Sequence, residues 1–446
     1  MGYVIMIAQF VLSLSILIVL HELGHFLPAK WFKTRVEKFY LFFDPWFSII
    51  KKKIGETEYG IGWLPLGGYV KISGMIDESM DREQMAGPPQ PWEFRSKPAW
   101  QRLIIMLGGV TINFILGFLL FGMVLFIWGS EFLPTKNIEF GYYVDSLGME
   151  MGLQDGDKIL QIGSVPFDRY ELGTFRKEIV INDAKEMTIE RDGNRISLPI
   201  DEKFVGKLSS YEFKDAALFV PRTPTIIKAI AKDTPAASSD LQVGDRLIAL
   251  NDQPTPYYDQ FSKLALANKG SPLSIRLIRD GREEEVRLTS TEQGRIGFEA
   301  KNYLDLFATE RQEYTVMQAI PAGFTKGYDF LASQIKAFGK MFRGKIKASE
   351  SLGGFGTISN LFPKVWSWEV FWHVTAVLSL ILGFMNLLPI PALDGGHVMF
   401  LLYEVVTGRK VSDKFMEYAT MVGFAIVIGL VLFANGLDVF RWLNGR

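Results

Sequence analysis

The stretch VLHELGHFLPAK, residues 19–30, carries His21, Glu22 and His25 in the order His-Glu-x-x-His. On a helix, side chains four residues apart lie on one face about a turn apart, so two imidazoles converge on one point. Two imidazoles held this way can grip a zinc ion, and Glu22 is then placed to take a proton from a metal-bound water. A catalytic zinc site needs a third protein ligand and one open position. The chain has no cysteine, which excludes thiolate-held zinc, iron–sulfur clusters and disulfides, and it has four histidines, at 21, 25, 373 and 397. A carboxylate is therefore the natural third ligand. Asp394 supplies one in GFMNLLPIPALDGGH, residues 383–397, an apolar run that also holds Asn386, Pro389 and Pro391. A charge at membrane depth costs roughly 2.5–3.5 kcal/mol, which makes Asp394 a site candidate, and bound to zinc it would keep its charge at low cost. Pro389 and Pro391 remove two backbone donors and break the helix. Irregular backbone persists at that depth where protein packs around it or where it lines a wet cavity. His397 reads as a supporting group near the same site and His373 as an interfacial residue.

The elements that must position these residues are membrane spans. Four stretches lack charge and are long enough to cross a bilayer, Gly2–Leu20, Leu103–Ser130, Val370–Leu393 and Tyr418–Leu437. The first has no basic leader and no small-x-small cleavage site, so it reads as a retained span. The expected organisation is a first transmembrane helix with the zinc motif (1–26), a cytoplasmic loop (27–102) and a second span (103–130). A third segment with the proline break follows at 370–403 and a fourth helix at 416–437. Lys and Arg cluster at 30–38, 95–102 and 409–414. The positive-inside rule then puts 27–102 and 404–417 in the cytoplasm, with both termini and 131–369 outside. The net charge of −1 offers no basic face for nucleic acid.

Between spans 2 and 3 the sequence repeats. GLQDGDKILQIG at 152–163 matches DLQVGDRLIALN at 240–251, and RDG at 191–193 recurs in the same register at 279–281. Short alternating runs punctuated by Gly-Asp and Asp-Gly mark β-rich modules. They resemble tandem PDZ domains, at about 135–215 and 221–300, a fold whose members commonly take a peptide as an added strand. Residues 324–348 then read as an amphipathic, basic helix suited to a membrane surface.

Together, HELGH ending a first span, two PDZ-like repeats and NLLPIPALDGGH in a later span resemble the bacterial site-2 proteases, of the regulator of sigma-E protease type. The resemblance covers essentially the whole chain. It implies that His21, His25 and Asp394 ligate zinc, that Glu22 is the general base, and that Asn386, Pro389 and Pro391 help hold substrate. YGIGWLPLGGYVKISG, residues 59–74, looks like the family's membrane-associated β-hairpin loop, in which an edge around Gly67 and Gly68 would clamp an extended substrate. It also implies an inner-membrane enzyme cleaving single-span membrane proteins, such as anti-sigma factors or remnant signal peptides. Two stretches depart from the family pattern: Gly109 in LGGVTINF stands where proline is expected, although Asn113 matches, and FFDPWFSIIKKK (42–53) is unusually aromatic. The rival classes are a non-catalytic PDZ scaffold with a vestigial metal site, and a metal transporter, which would need several polar spans where one acidic intrusion is seen.

Overall fold

The computed structural model describes residues 1–75, 87–213 and 216–444. The chain divides into two compact units, one of residues 1–129, 313–339 and 351–446, the other of residues 130–312 and 340–350. Its main helices, in chain order, are α1 (Gly2–Trp31), α2 (Ala99–Trp128), α3 (Leu172–Val180), α4 (Tyr258–Ala267), α5 (Val316–Phe342), α6 (Trp368–Leu387), α7 (Asp394–Thr407) and α8 (Asp413–Leu443).

In the first unit α1, α2, α6 and α8 are long and apolar enough to cross a membrane. Each of these helices runs past the charge-free stretch that announced it at one end or both. In α1 the extra turns carry the whole His-Glu-x-x-His motif. Small residues let backbones touch where α1 crosses α2: a Cβ on Gly108 would stand 1.9 Å from the Gly24 carbonyl oxygen. Close glycine contacts of this kind drive helix association where burial of apolar surface from water is not available. Polar side chains add cross-links inside the bundle: Ser13 Oγ lies 2.9 Å from Thr375 Oγ1, and Ser379 Oγ donates to the Asn113 carbonyl oxygen at 2.7 Å. The first part of α5 joins this unit, with Phe324 against Phe118 at 4.7 Å between ring centroids.

Two long strands, β1 (Val36–Ile54) and β2 (Thr57–Ile72), turn at Gly55–Glu56. Their register splits them into four runs. Ile50–Ile54 pairs antiparallel with Thr57–Ile61, which lies beside Lys38–Leu41 with both numbers rising; Lys38–Leu41 in turn pairs antiparallel with Gly68–Lys71. The aromatic stretch 42–47 is the corner between the two halves of β1, with Phe42 and Trp46 at positive φ. Trp63 closes the corner, donating to the Pro45 carbonyl at 2.9 Å. Asp44 accepts from Ser48 and Tyr69, both at 2.9 Å. Burial and then Asp44 push the Tyr69 phenol well above its usual value, so it stays a donor.

The second unit contains the repeat, and the two copies share one device. In the first, β3 (Lys158–Ile162), β4 (Glu186–Arg191) and β5 (Asn194–Pro199) form a sheet beside α3. In the second, β6 (Thr225–Ile230), β7 (Arg246–Leu250), β8 (Pro272–Arg279), β9 (Arg282–Thr289) and β10 (Phe298–Ala300) form the sheet beside α4. Buried Asp157 receives Arg191 through Nε and Nη2, each at 2.7 Å, while Asp245 receives Arg279 in the same fork at 2.7 and 2.6 Å. Each carboxylate also takes a backbone N–H three residues earlier, from Gln154 or Gln242, at 2.8 Å.

The amphipathic helix begins eight residues earlier than expected and ends sooner. One of its basic residues is not on a free face: Lys340 is buried in the second unit, donating to the Val180 carbonyl at 2.6 Å and pairing with Asp183 at 2.7 Å. The lysine holds the Asp183 carboxyl below its usual range.

Candidate active site

Two separate pieces of chain build the site. The last third of α1 presents His21, Glu22 and His25. The other piece is the interruption between α6 and α7, residues 388–393, where the two prolines end the helix and Ala392 is held at φ +132°. Such a conformation is costly for a residue with a Cβ and persists where its surroundings over-determine it. Gly395 and Gly396 make the fold-back possible, since a Cβ on Gly395 would stand 2.3 Å from the Leu388 carbonyl oxygen and one on Gly396 2.5 Å from Pro391 Cα. Asp394 then opens α7, where the helix N-terminus favours a negative charge.

Asp394 Oδ2 lies 3.2 Å from His21 Nε2 and 3.3 Å from His25 Nε2, and the two Nε2 atoms are 3.3 Å apart. Among the described residues this is the cluster of ligand-type side chains able to hold a metal. Asp394 Oδ2 is buried and finds no well-formed hydrogen bond. The His25 ring shows why. Its Nδ1 faces the Ile105 carbonyl oxygen at 2.8 Å, and an oxygen can only accept, so Nδ1 carries the hydrogen and Nε2 presents a lone pair. Atoms bound about 2.0–2.1 Å from a tetrahedral ion stand about 3.3–3.4 Å from one another. The three separations fit a zinc ion.

A cavity of about 550 Å³ opens beside the triangle, lined by Glu22, Asn386, His397 and β2 from Gly67 to Ile72, among others. The Val70 backbone faces the Glu22 carboxylate across this cavity. Asn386 Nδ2 stands 3.5 Å from His21 Nε2. Pro389 and Pro391 belong to the interruption, while its cavity wall is formed by Ala392 and Leu393. Gly68 lies where the strand crosses α1, and a Cβ there would come 2.5 Å from Ile18 Cγ2; one on Gly67 would meet the Phe43 ring at 2.7 Å. Their missing side chains are thus accounted for by packing. His373 packs against Phe121, ring centroids 5.5 Å apart. Gly109, the departure from the family pattern, has a direct reason: a Cβ would stand 2.3 Å from His25 Nε2.

Sequence reasoning missed Val70, the Ile105 carbonyl, and Thr420 and Phe424 of α8, which also line the cavity. Backbone partners leave no mark in side-chain pattern. Thr420 and Phe424 are ordinary residues of an apolar span.

A membrane-embedded metallopeptidase is the class of protein that helix-borne His-Glu-x-x-His, a broken helix with an acid and an adjoining cavity define. The profile of peptidase family M50 matches residues 9–430. A Neisseria meningitidis protein named as a zinc metalloprotease is 27% identical over 98% of this chain and 99% of its own length. The regulator of sigma E protease of Haemophilus influenzae is 24% identical over 99% and 100%, and the regulator of sigma-E protease RseP of Escherichia coli is 27% identical over 96% and 97%. The chain belongs to peptidase family M50. It is a zinc metalloprotease of that family, whose activity is proteolysis within the membrane.

Proposed function

We propose that the chain cleaves the transmembrane segments of single-span membrane proteins, with zinc held by His21 Nε2, His25 Nε2 and Asp394 Oδ2 and with Glu22 as general base. The observation that carries this assignment is the triangle of acceptor atoms 3.2–3.3 Å apart, matched to one tetrahedral cation. Zinc, when bound, polarises the scissile carbonyl and lowers the pKa of a water toward neutrality. Glu22 takes that water's proton and passes it to the leaving amine. A helix in lipid satisfies its own backbone groups, so the segment to be cut must unwind and find new partners. The run Gly68–Ile72 lies at the edge of its sheet and lines the cavity, which supports pairing with an extended substrate there. In this reading Gly67 and Gly68 contribute backbone, Asn386 points its amide at the bound peptide, and Pro389 and Pro391 keep residues 388–393 out of a helix.

The names of the Haemophilus and Escherichia relatives support anti-sigma factors as one substrate class; remnant signal peptides are a second. The repeat supports reading 135–215 and 221–300 as tandem PDZ domains, placed by the charge distribution on the outer side of the inner membrane, with the zinc site toward the cytoplasm. Membrane lipid is the partner of the exposed face of α5 and of the exposed corner residues Trp46 and Phe47.

The test is zinc content and cleavage of a single-span substrate by purified wild-type and Glu22→Gln in detergent. One zinc in each with cleavage confined to wild-type is expected. Cleavage by Glu22→Gln at the wild-type rate would remove Glu22 from the chemistry, and a zinc-free wild-type after supplementation would remove the ligand set. A cell in which Glu22→Gln preserves biological function would favour the scaffold class.

A further inference from the structure

The two histidines of the triangle are not supported in the same way. His25 has a backbone carbonyl on Nδ1, which fixes its tautomer. His21 has Asn113 of α2, whose amide nitrogen is drawn 3.0 Å from His21 Nδ1. Asn113 is fully buried, and its carbonyl oxygen Oδ1 has no hydrogen-bond partner. Those observations conflict with zinc binding. If the amide nitrogen donates to Nδ1, the His21 hydrogen must sit on Nε2, which then has no lone pair for a metal. A half-turn of the amide about its Cβ–Cγ bond exchanges its nitrogen and oxygen with little movement of other atoms. The oxygen then accepts Nδ1–H, and Nε2 is freed toward Asp394 and His25.

We infer that Asn113 is a positioning residue of the zinc site: its side-chain oxygen accepts Nδ1–H of His21, fixing the metal-binding tautomer and the plane of the ring. The inference rests on the ligand reading above. The site becomes symmetric in its support, with each imidazole oriented by an oxygen of α2, Ile105 O for His25 and Asn113 Oδ1 for His21. Groups in this role typically change metal affinity by 10–100-fold when removed. Asn113 has a further anchor, because its backbone carbonyl takes the Ser379 hydroxyl of α6 at 2.7 Å, so the oxygen that orients His21 is held by α2 and α6 together.

The experiment uses the full-length protein in detergent and reads zinc affinity by competition with a chromophoric chelator, with no substrate present. Asn113→Leu keeps the size and removes the acceptor; Asn113→Asp keeps an acceptor oxygen. The expected result is a 10–100-fold loss of affinity in Asn113→Leu and recovery to within a few-fold of wild-type in Asn113→Asp. Wild-type affinity in Asn113→Leu overturns the inference. So does equal weakening in both variants when their zinc-free forms melt at the wild-type temperature, because that outcome assigns Asn113 to packing. His21→Ala is the control for the underlying reading. If it binds zinc as wild-type does, the ligand set falls, whatever the Asn113 variants do.

Discussion

Asp245 and Asp394 are carboxylates largely withdrawn from water, one in the repeat and one in the helical unit, and their surroundings differ in kind. Asp245 has its own cation: Arg279 grips both oxygens at 2.7 and 2.6 Å, and the Gln242 N–H fills a further acceptor site. Asp157 and Arg191 reproduce that arrangement in the first repeat. Asp394 has no arginine or lysine in its ion pairs; it has two imidazoles at 3.2 and 3.3 Å, and its Oδ2 lacks a proper donor. A buried charge must be neutralised by something. In the repeat the chain supplies the neutralising group, so the pair is architecture. At Asp394 the chain supplies no arginine or lysine, and that contrast supports the proposal that an ion is held there.

The comparison can be broken at either end. The largest effect is expected from Asp394→Asn, which removes the charge the site is built around: zinc content measured by atomic absorption should fall to background and cleavage with it. Retention of a full zinc complement would sink the contrast. Next is Gly109→Ala, whose methyl would stand 2.3 Å from His25 Nε2. It should weaken zinc binding by tenfold or more in a chelator titration, since the ring must shift by a sizeable fraction of an ångström. An unchanged titration would show that α2 can yield there.

Arg279→Met tests the other end. It leaves a carboxylate with 1% side-chain exposure unpaired, and breaking a buried pair from one side costs about 3–5 kcal/mol. Urea unfolding followed in the second unit should show that loss, while zinc content stays at wild-type level. If zinc and stability fall together, the clip is more than local architecture. The smallest effect is expected from Lys136→Ala. Its partner Glu310 is at 2.9 Å, but both side chains are largely exposed, and pairs of that kind contribute little. Its unfolding midpoint should match wild-type.

Much of the site is legible in the order of the amino acids. His21, Glu22 and His25 stand out because one helical turn converts their spacing into proximity, and Asp394 because an acid in an apolar run is conspicuous. The repeat is legible from one register held across two blocks, and the Asp–Arg clip lies inside those blocks, at Asp157 with Arg191 and Asp245 with Arg279. Less legible are contacts made by backbone. Nothing in the identity of Val70 or Ile105 says that backbone at the one faces Glu22 or that a carbonyl at the other meets His25. Helix ends also escape, because α1 continues through charged residues that a hydropathy reading treats as the end of the span. The corner at 42–47 looks anomalous in sequence for a related reason: Asp44, Pro45 and Trp63 act through a tertiary bend that local patterning does not encode.

The site's parts are far apart in the chain, and that has a consequence for synthesis. The ribosome finishes α1, with both histidines and the glutamate, before it has made the sheet, the repeats or α6. Asp394 arrives only in the last stretch. A nascent or truncated chain therefore has two of the three proposed zinc ligands, and the proposed centre is completed when the C-terminal helices join α1 and α2 in the membrane. On the proposed assignment, the order of translation makes the last ligand the one that completes the site.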